Sequence, residues 1–142
     1  MNIDGVENGI VIDHIAAGEC MKLYYLLGLD DLESTVAIIK NVESRKYGRK
    51  DIIKIDELID LDVDALGYID PRITVNIVQD NRLVEKRHLE LPQTLRNIVK
   101  CKNPRCITSV EPDVDQIFRL TDPEQRLYRC VYCEVAPDRE GE

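Results

Sequence analysis

The sequence predicts an α+β chain in two parts: a ferredoxin-like domain over residues 1–92 and a small all-β zinc-binding domain over residues 93–142. Three observations carry that expectation. Up to Leu89, segments of strand and helix period alternate in the order of a split βαβ unit. After the proline-containing connector "LELPQTL" (89–95) the helical period disappears and only short strand-like runs remain. Four of the five cysteines fall in that tail, which is short enough to need a metal or a cross-link to fold.

The elements follow in order. "GIVIDHI" (9–15) is β-branched and reads as a first strand. In "AAGECMKLYYLLGL" the residues Cys20, Leu23, Tyr24 and Leu27 share one helical face, and Gly28 supplies a C-terminal stop. Cys20, on that apolar face, reads as a plain core thiol. "STVAIIKNV" (34–42) is a second strand, "ESRKYGRK" a charged turn and "DIIKI" (51–55) a third strand. "DELIDLDVDALGY" reads as a second helix with Asp56 as N-cap and with Leu58, Leu61 and Ala65 on one face. "RITVNIV" (72–78) alternates, Ile73, Val75 and Ile77 against Thr74, Asn76 and Val78. "QDN" turns the chain into a returning strand, "RLVEK". In the tail, "RNIVK", "CITSV", "QIFRL" and "LYRCVYCEV" read as small strands between turns.

Composition narrows the function classes. The chain has 142 residues, no Trp and one Phe, so its core is aliphatic. A formal charge of −8 argues against a general nucleic-acid binder, which needs surplus cations to neutralise phosphates. No apolar run approaches the ~20 residues that span a bilayer, and "MNIDGVENG" has neither a basic nor an apolar signal region. The expected location is the cytoplasm, where structural disulfides are rare and paired cysteines more often bind metal.

Cys101, Cys106, Cys130 and Cys133 form C-x4-C, a 23-residue spacer and C-x2-C. Two such turns bring four thiolates to one ion, the arrangement of a closed structural zinc site. Lys100, Lys102, Arg105 and Arg129 flank the ligands and offset their negative charge. A redox C-x-x-C normally lies between a strand and a helix, whereas "CVYC" lies in an expected hairpin. A rubredoxin-type iron site stays open on spacing alone. With every position filled by protein, one zinc per chain would fold the tail rather than catalyse.

The polar residues of the first domain carry less by themselves. Asp13 and His14 point to opposite faces of a regular strand and reach one ligand only at an end or bend. Alone they read as a hydrogen-bonded pair near the surface, and His88 reads as solvated. Lys54, between isoleucines, either snorkels at an edge or points into a site that wants a cation. Asn76 interrupts an apolar face and needs a hydrogen-bond partner, and Lys86 ends the next strand. Together they outline a small pocket for a phosphorylated ligand. No G-x-x-x-x-G-K-[ST] loop is present, which argues against NTP hydrolysis, and no nucleophile–base arrangement stands out. A zinc-ribbon adaptor or nucleic-acid module without an effector site is the alternative reading, and the acidic charge weighs against it.

"GIVIDHI", "GRKDIIKI", "TVN" and the C-x4-C…C-x2-C tail, in this order and spacing, closely resemble the aspartate carbamoyltransferase regulatory chain family. The resemblance covers nearly the whole chain. It implies a non-catalytic chain of pyrimidine biosynthesis whose allosteric domain binds CTP as inhibitor and ATP as activator. It implies regulatory dimers that bridge two catalytic trimers, with the zinc domain docked on the catalytic chain. No nucleic acid and no membrane enter as partners. By motif, Asp13, His14, Lys54, Asn76 and Lys86 match the family's nucleotide-site polar residues. Ile3, Asp4, Gly5 and Val6 resemble the segment against the base, and Val11, Val78 and Leu83 the apolar wall. Asn81 stands where a tyrosine is familiar, and the Asp4–Gly5 pair also departs from the pattern.

Overall fold

The computed structural model describes residues 6–137, which form two compact units that divide between Glu90 and Leu91. The first unit is an antiparallel five-stranded sheet with helices on one face. Its strands are β1 (Gly9–Ala16), β2 (Val36–Ser44), β3 (Gly48–Ile55), β4 (Thr74–Gln79) and β5 (Arg82–His88), in the spatial order β2-β3-β1-β4-β5. The order β4-β1-β3-β2 is the split βαβ arrangement expected from the element sequence, and β5 extends it at one edge.

The helices are shorter than their periodic patterns. Helix α1 (Cys20–Leu26) buries Cys20 and Leu23, and Tyr24 and Leu27 pack beside them. Gly28 ends it with φ 69°, a left-handed conformation that only glycine adopts without steric cost. Helix α2 (Val63–Ile69) starts seven residues after the expected cap. Asp62 is the N-cap, accepting from the Ala65 N–H at 3.1 Å. The Asp56 N–H instead donates to the Thr35 carbonyl at 2.9 Å, just past the end of β3. Leu58 therefore precedes the helix and is exposed, while Leu61 and Ala65 pack inward as expected.

The sheet has two apolar faces with different covers. Ile10, Ile12, Ile15, Ile53, Ile55, Ile73 and Val75 face Leu23, Leu29 and Leu66 in the main core. Val6, Val11, Ile52 and Val78 form a smaller cluster on the opposite face, as the period of two requires. Two bulges flank the middle of β3. The β1–β3 register shifts between Ile12 and Ile15, and the β2–β3 register shifts between Ile39 and Val42. His14 and Asn41, both with φ 60°, sit in these bulges, where an extra residue bends the strand and raises its twist.

Asp51 lies between the bulges and is fully buried. Its Oδ1 accepts the Asn41 N–H at 2.8 Å, and its Oδ2 accepts the N–H groups of Gly18 at 2.8 Å and Cys20 at 3.2 Å. One carboxylate thus pins the β2 bulge and the entry to α1. Burial pushes its pKa upward, but the hydrogen bonds from Asn41, Cys20 and Gly18 outweigh burial and hold it below the ordinary value.

The second unit is a three-stranded sheet, β6 (Thr94–Arg96), β7 (Ile117–Asp122) and β8 (Leu127–Cys130), in the order β6-β7-β8. Leu95, Phe118 and Tyr128 fill its interior, and the Tyr128 hydroxyl donates to the Pro92 carbonyl at 2.6 Å. "CITSV", expected as a strand, is instead one helical turn, α3 (Ile107–Val110). The cysteine turn decides this, because the Ser109 N–H bonds the Cys106 carbonyl at 2.9 Å and the Ser109 Oγ bonds the Asn103 carbonyl at 2.7 Å. "RNIVK" contributes only Arg96 to a strand, and "LYRCVYCEV" is a strand only as far as Cys130.

Asp51→Asn keeps the shape of the side chain, loses its charge and sets an amide NH2 against backbone donors. It should lower the stability of the first unit by about 2–3 kcal/mol at neutral pH, as read by chemical denaturation. The depressed pKa fixes the pH window. The stability that Asp51 adds is fully present above the unfolded value near about 4 and is lost as pH falls through the lower folded value. The acid limb of the stability profile should flatten in Asp51→Asn, and an unchanged limb would mean that other carboxylates set it.

Candidate functional site

Strand register assembles the first site on the face opposite the helices. Val11 stands opposite Lys54 on β3 and opposite Asn76 on β4, and Asn76 stands opposite Lys86 on β5. Directly opposed residues share a face, so Lys54, Val11, Asn76 and Lys86 form one row across four strands, about 14 Å at three interstrand spacings. In a flanking row Val78 opposes Leu83, and in the other Asp13 opposes Thr74 and Thr74 opposes His88. Seven residues picked out in the sequence therefore lie on one surface: Val11, Asp13, Lys54, Asn76, Val78, Leu83 and Lys86. His88 is exposed. Asp4 lies outside the described residues.

The β1 bulge brings His14 to the same place. With φ 60°, His14 keeps its Nε2 4.0 Å from Asp13 Oδ2, and its N–H donates to Asp13 Oδ1 at 2.7 Å. Asp13 also accepts an ion pair from Lys50, Nζ to Oδ1 at 3.0 Å, with both side chains buried. Burial lowers the His14 pKa, Asp13 opposes that, and Lys50, Lys86 and Lys46 lower it further, for a net shift downward. A neutral imidazole ringed by lysines marks a locally positive field on an acidic chain.

Three buried polar atoms on or beside this surface have no hydrogen-bond partner among the described residues: Asn76 Oδ1, Thr74 Oγ1 and His14 Nδ1. An orphaned buried polar group costs about 1–3 kcal/mol, so their clustering points to a ligand that supplies the missing partners. Lys50 and Thr74 were not among the residues singled out in the sequence. For Lys50 the signal was present, since period two in "GRKDIIKI" puts Lys50, Ile52 and Lys54 on one face. Thr74 had none beyond its place beside Asn76. Asn81 has a local reason to differ from the family pattern. Asp80 and Asn81, with φ 53° and 63°, form a two-residue hairpin loop that demands left-handed backbone, which asparagine tolerates.

The second site is the cysteine quartet. The Sγ atoms of Cys101, Cys106, Cys130 and Cys133 all lie within 4.8 Å of one another, with Cys101–Cys133 at 3.4 Å and Cys106–Cys130 at 3.7 Å. A tetrahedron with metal–sulfur bonds of about 2.3 Å has sulfur–sulfur edges of about 3.8 Å, and these distances fit it. Cys20 is not part of this group; it is buried in the core of the first unit, and burial followed by the Asp51 contact raises its pKa. Within the quartet, burial pushes the Cys101 thiol up to about 12. At Cys133 burial also acts upward, but the Val135 N–H and neighbouring groups bring it down to about 7. Four thiolates this close repel one another, and a metal ion held by them would offset that charge.

A ligand-seeking sheet face joined to a four-thiolate module defines a two-unit binding protein with a metal-binding tail. Comparison with known proteins makes the class specific. Residues 1–90 match the family described as aspartate carbamoyltransferase regulatory chain, allosteric domain. Residues 93–140 match its metal-binding domain. The chain is 48% identical over 134 residues to an aspartate carbamoyltransferase regulatory chain of Clostridium botulinum, covering 94% of this chain and 92% of that one. It is similarly 47% identical to one from Clostridium tetani over 135 residues, 94% of each chain. For one from Bifidobacterium longum the identity is 40% over 134 residues, 94% of this chain and 96% of that one. The chain belongs to the aspartate carbamoyltransferase regulatory chain family, with an allosteric domain and a four-cysteine metal-binding domain. The relatives are regulatory chains and not catalytic ones.

Because metal binding energy is folding energy in such modules, Cys130→Ser, or a strong chelator, should melt the second unit and leave the first folded. Hydrogen exchange resolved along the chain, with metal content measured in parallel, reads both units at once. Protection of Phe118 and Tyr128 that survives complete metal removal would show a core that folds without the ion.

Proposed function

We propose that this chain is the non-catalytic regulatory subunit of an aspartate carbamoyltransferase, binding CTP as inhibitor and ATP as activator on the open face of its five-stranded sheet. The observation that carries the reading is the row Lys54–Val11–Asn76–Lys86 with the orphaned atoms of Asn76, Thr74 and His14 beside it. A nucleoside triphosphate matches this chemistry. Its phosphates suit Lys54, Lys86 and His14, its base and sugar offer donors and acceptors to Asn76 and Thr74, and Val11, Val78 and Leu83 give an apolar wall. Asp13, ion-paired to Lys50, positions His14 and that lysine. Asp4 and its neighbours are assigned to the base on the family resemblance alone.

The metal we assign to the quartet is zinc, one per chain and structural, because four thiolates close a tetrahedral site and leave no position for water or substrate. The domains are assigned as 1–92 and 93–142. The second docks on the catalytic chain of the trimers, and regulatory chains pair as dimers in a cytoplasmic holoenzyme. Exposed Ile107, Val110, Val131 and Tyr132, each within four residues of a ligand cysteine, supply an apolar surface for that docking. An effector bound to the first domain then acts only through differential affinity for two quaternary states, a coupling of about 1–3 kcal/mol.

Lys54→Ala and Lys86→Ala should each weaken CTP and ATP together, by about 1.5–3 kcal/mol, since both ligands share the triphosphate. Titration calorimetry on the purified chain gives the affinities, and activity of holoenzyme reconstituted with the organism's catalytic chain gives the response to each effector. Unchanged affinity in both variants would remove these lysines from the site, and a chain that leaves catalytic activity insensitive to CTP and ATP would refute the assignment of effectors.

A further inference from the structure

A cluster beside this face is not used by the reading above. The β2–β3 turn carries Lys46 and Tyr47, and the α2–β4 connection carries Asp70 and Arg72. The Tyr47 ring stands edge-on to His14, centroids 5.7 Å apart and planes at 74°. Two cations lie over that same ring, Lys46 Nζ at 5.3 Å and Arg72 Cζ at 5.2 Å from its centroid. Arg72 is fixed from below by Asp70, which is buried, through Nε–Oδ1 at 3.0 Å and Nη2–Oδ2 at 2.8 Å.

The arrangement has features of a built anion rim. Arg72 spends its Nε and one Nη2 donor on Asp70, so its Nη1 donors remain without a partner among the described residues. Its side chain is 52% exposed. Lys46 and Lys86 have no carboxylate partner among the described residues. Cation–π contact places Lys46 and Arg72 each beside the Tyr47 ring, and His14, in edge contact with that ring, has an orphaned Nδ1. An anion placed there would offset these cationic charges and satisfy the Arg72 donors at once.

We propose that Lys46, Tyr47 and Arg72 form a second cationic rim that closes on the outer phosphates of the bound effector and sets a preference for nucleoside triphosphates over monophosphates. The inference rests on the effector site proposed above and adds the residues that count phosphates. Lys54, Asn76 and Lys86 serve the nucleotide whatever its phosphate number. The rim is reached only by a chain of phosphates long enough to extend to His14 and the β2–β3 turn. Tyr47 is a positioning residue here, since its ring holds the two cations and needs no contact with the phosphate.

The test is titration calorimetry of CTP and CMP on the full chain and on three variants. Tyr47→Leu removes the aromatic platform, Lys46→Gln removes a charge at an exposed position that cannot disturb the core, and Tyr47→Phe keeps the ring. Tyr47→Leu and Lys46→Gln should weaken CTP about tenfold, the loss of one charge-assisted contact, and leave CMP within about twofold. Tyr47→Phe should bind both ligands as the parent does. If the parent chain binds CTP and the variants lose CTP and CMP equally, or lose neither, the rim is overturned and the effector site stands. If the parent chain binds neither ligand, the effector-site reading fails and the rim falls with it.

Discussion

The first unit depends on one buried carboxylate. Asp51 holds three backbone N–H groups that no strand or helix ladder satisfies: those of Asn41 in the β2 bulge, and of Gly18 and Cys20 at the start of α1. A buried charge is tolerable only when its acceptor sites are filled, and here the bulge and the helix entry fill them. In return the carboxylate fixes where β2 bends and where α1 begins. It sits on β3 opposite Ile15, immediately after the β1 bulge. The strand deformations that shape the sheet thus meet at one side chain.

The open face follows from that bend. A regular β1 would turn His14 to the helix side, away from Asp13. The extra residue in β1 instead returns Ile15 to the core in phase with Ile10 and Ile12 and leaves Asp13 and His14 together beside the row of Lys54, Val11, Asn76 and Lys86. The same face pairs apolar Val11, Ile52 and Val78 with cations and orphaned polar atoms. A surface of that mixture is costly for a sheet that is merely covered and well suited to one that binds an amphipathic, anionic ligand.

The second unit solves a different problem. With Leu95, Phe118 and Tyr128 as its fully buried large side chains, it has little apolar burial to set against chain entropy. The four cysteines supply the rest through a metal ion. Their turns also override local preference, since "CITSV" has strand-like composition yet forms a helical turn because Cys106 and Asn103 accept from Ser109. The hydrogen bonds of the turn over residues 103–109 outrank the β-propensity of a five-residue run.

What the sequence determined by itself were the patterns with short range. β-Branched runs, with a period of two in residues 72–78, identified the five strands of the sheet, the period of 3.6 found α1, and the cysteine spacing identified a metal site whose four ligands the tertiary structure brings together. Motif order alone sufficed to identify the family. Local pattern also misled where several acidic residues compete, as when Asp56 read as the cap that Asp62 provides. The tertiary structure decided everything that depends on register. That Lys54, Val11, Asn76 and Lys86 form one row is a statement about pairings between residues up to 65 positions apart, and no local period encodes it. The bulge that unites Asp13 with His14, the burial of Asp51 between two bulges, and the placing of Tyr47 against His14 likewise arise only when strands pair. A one-residue change of register would send every one of these side chains to the other face.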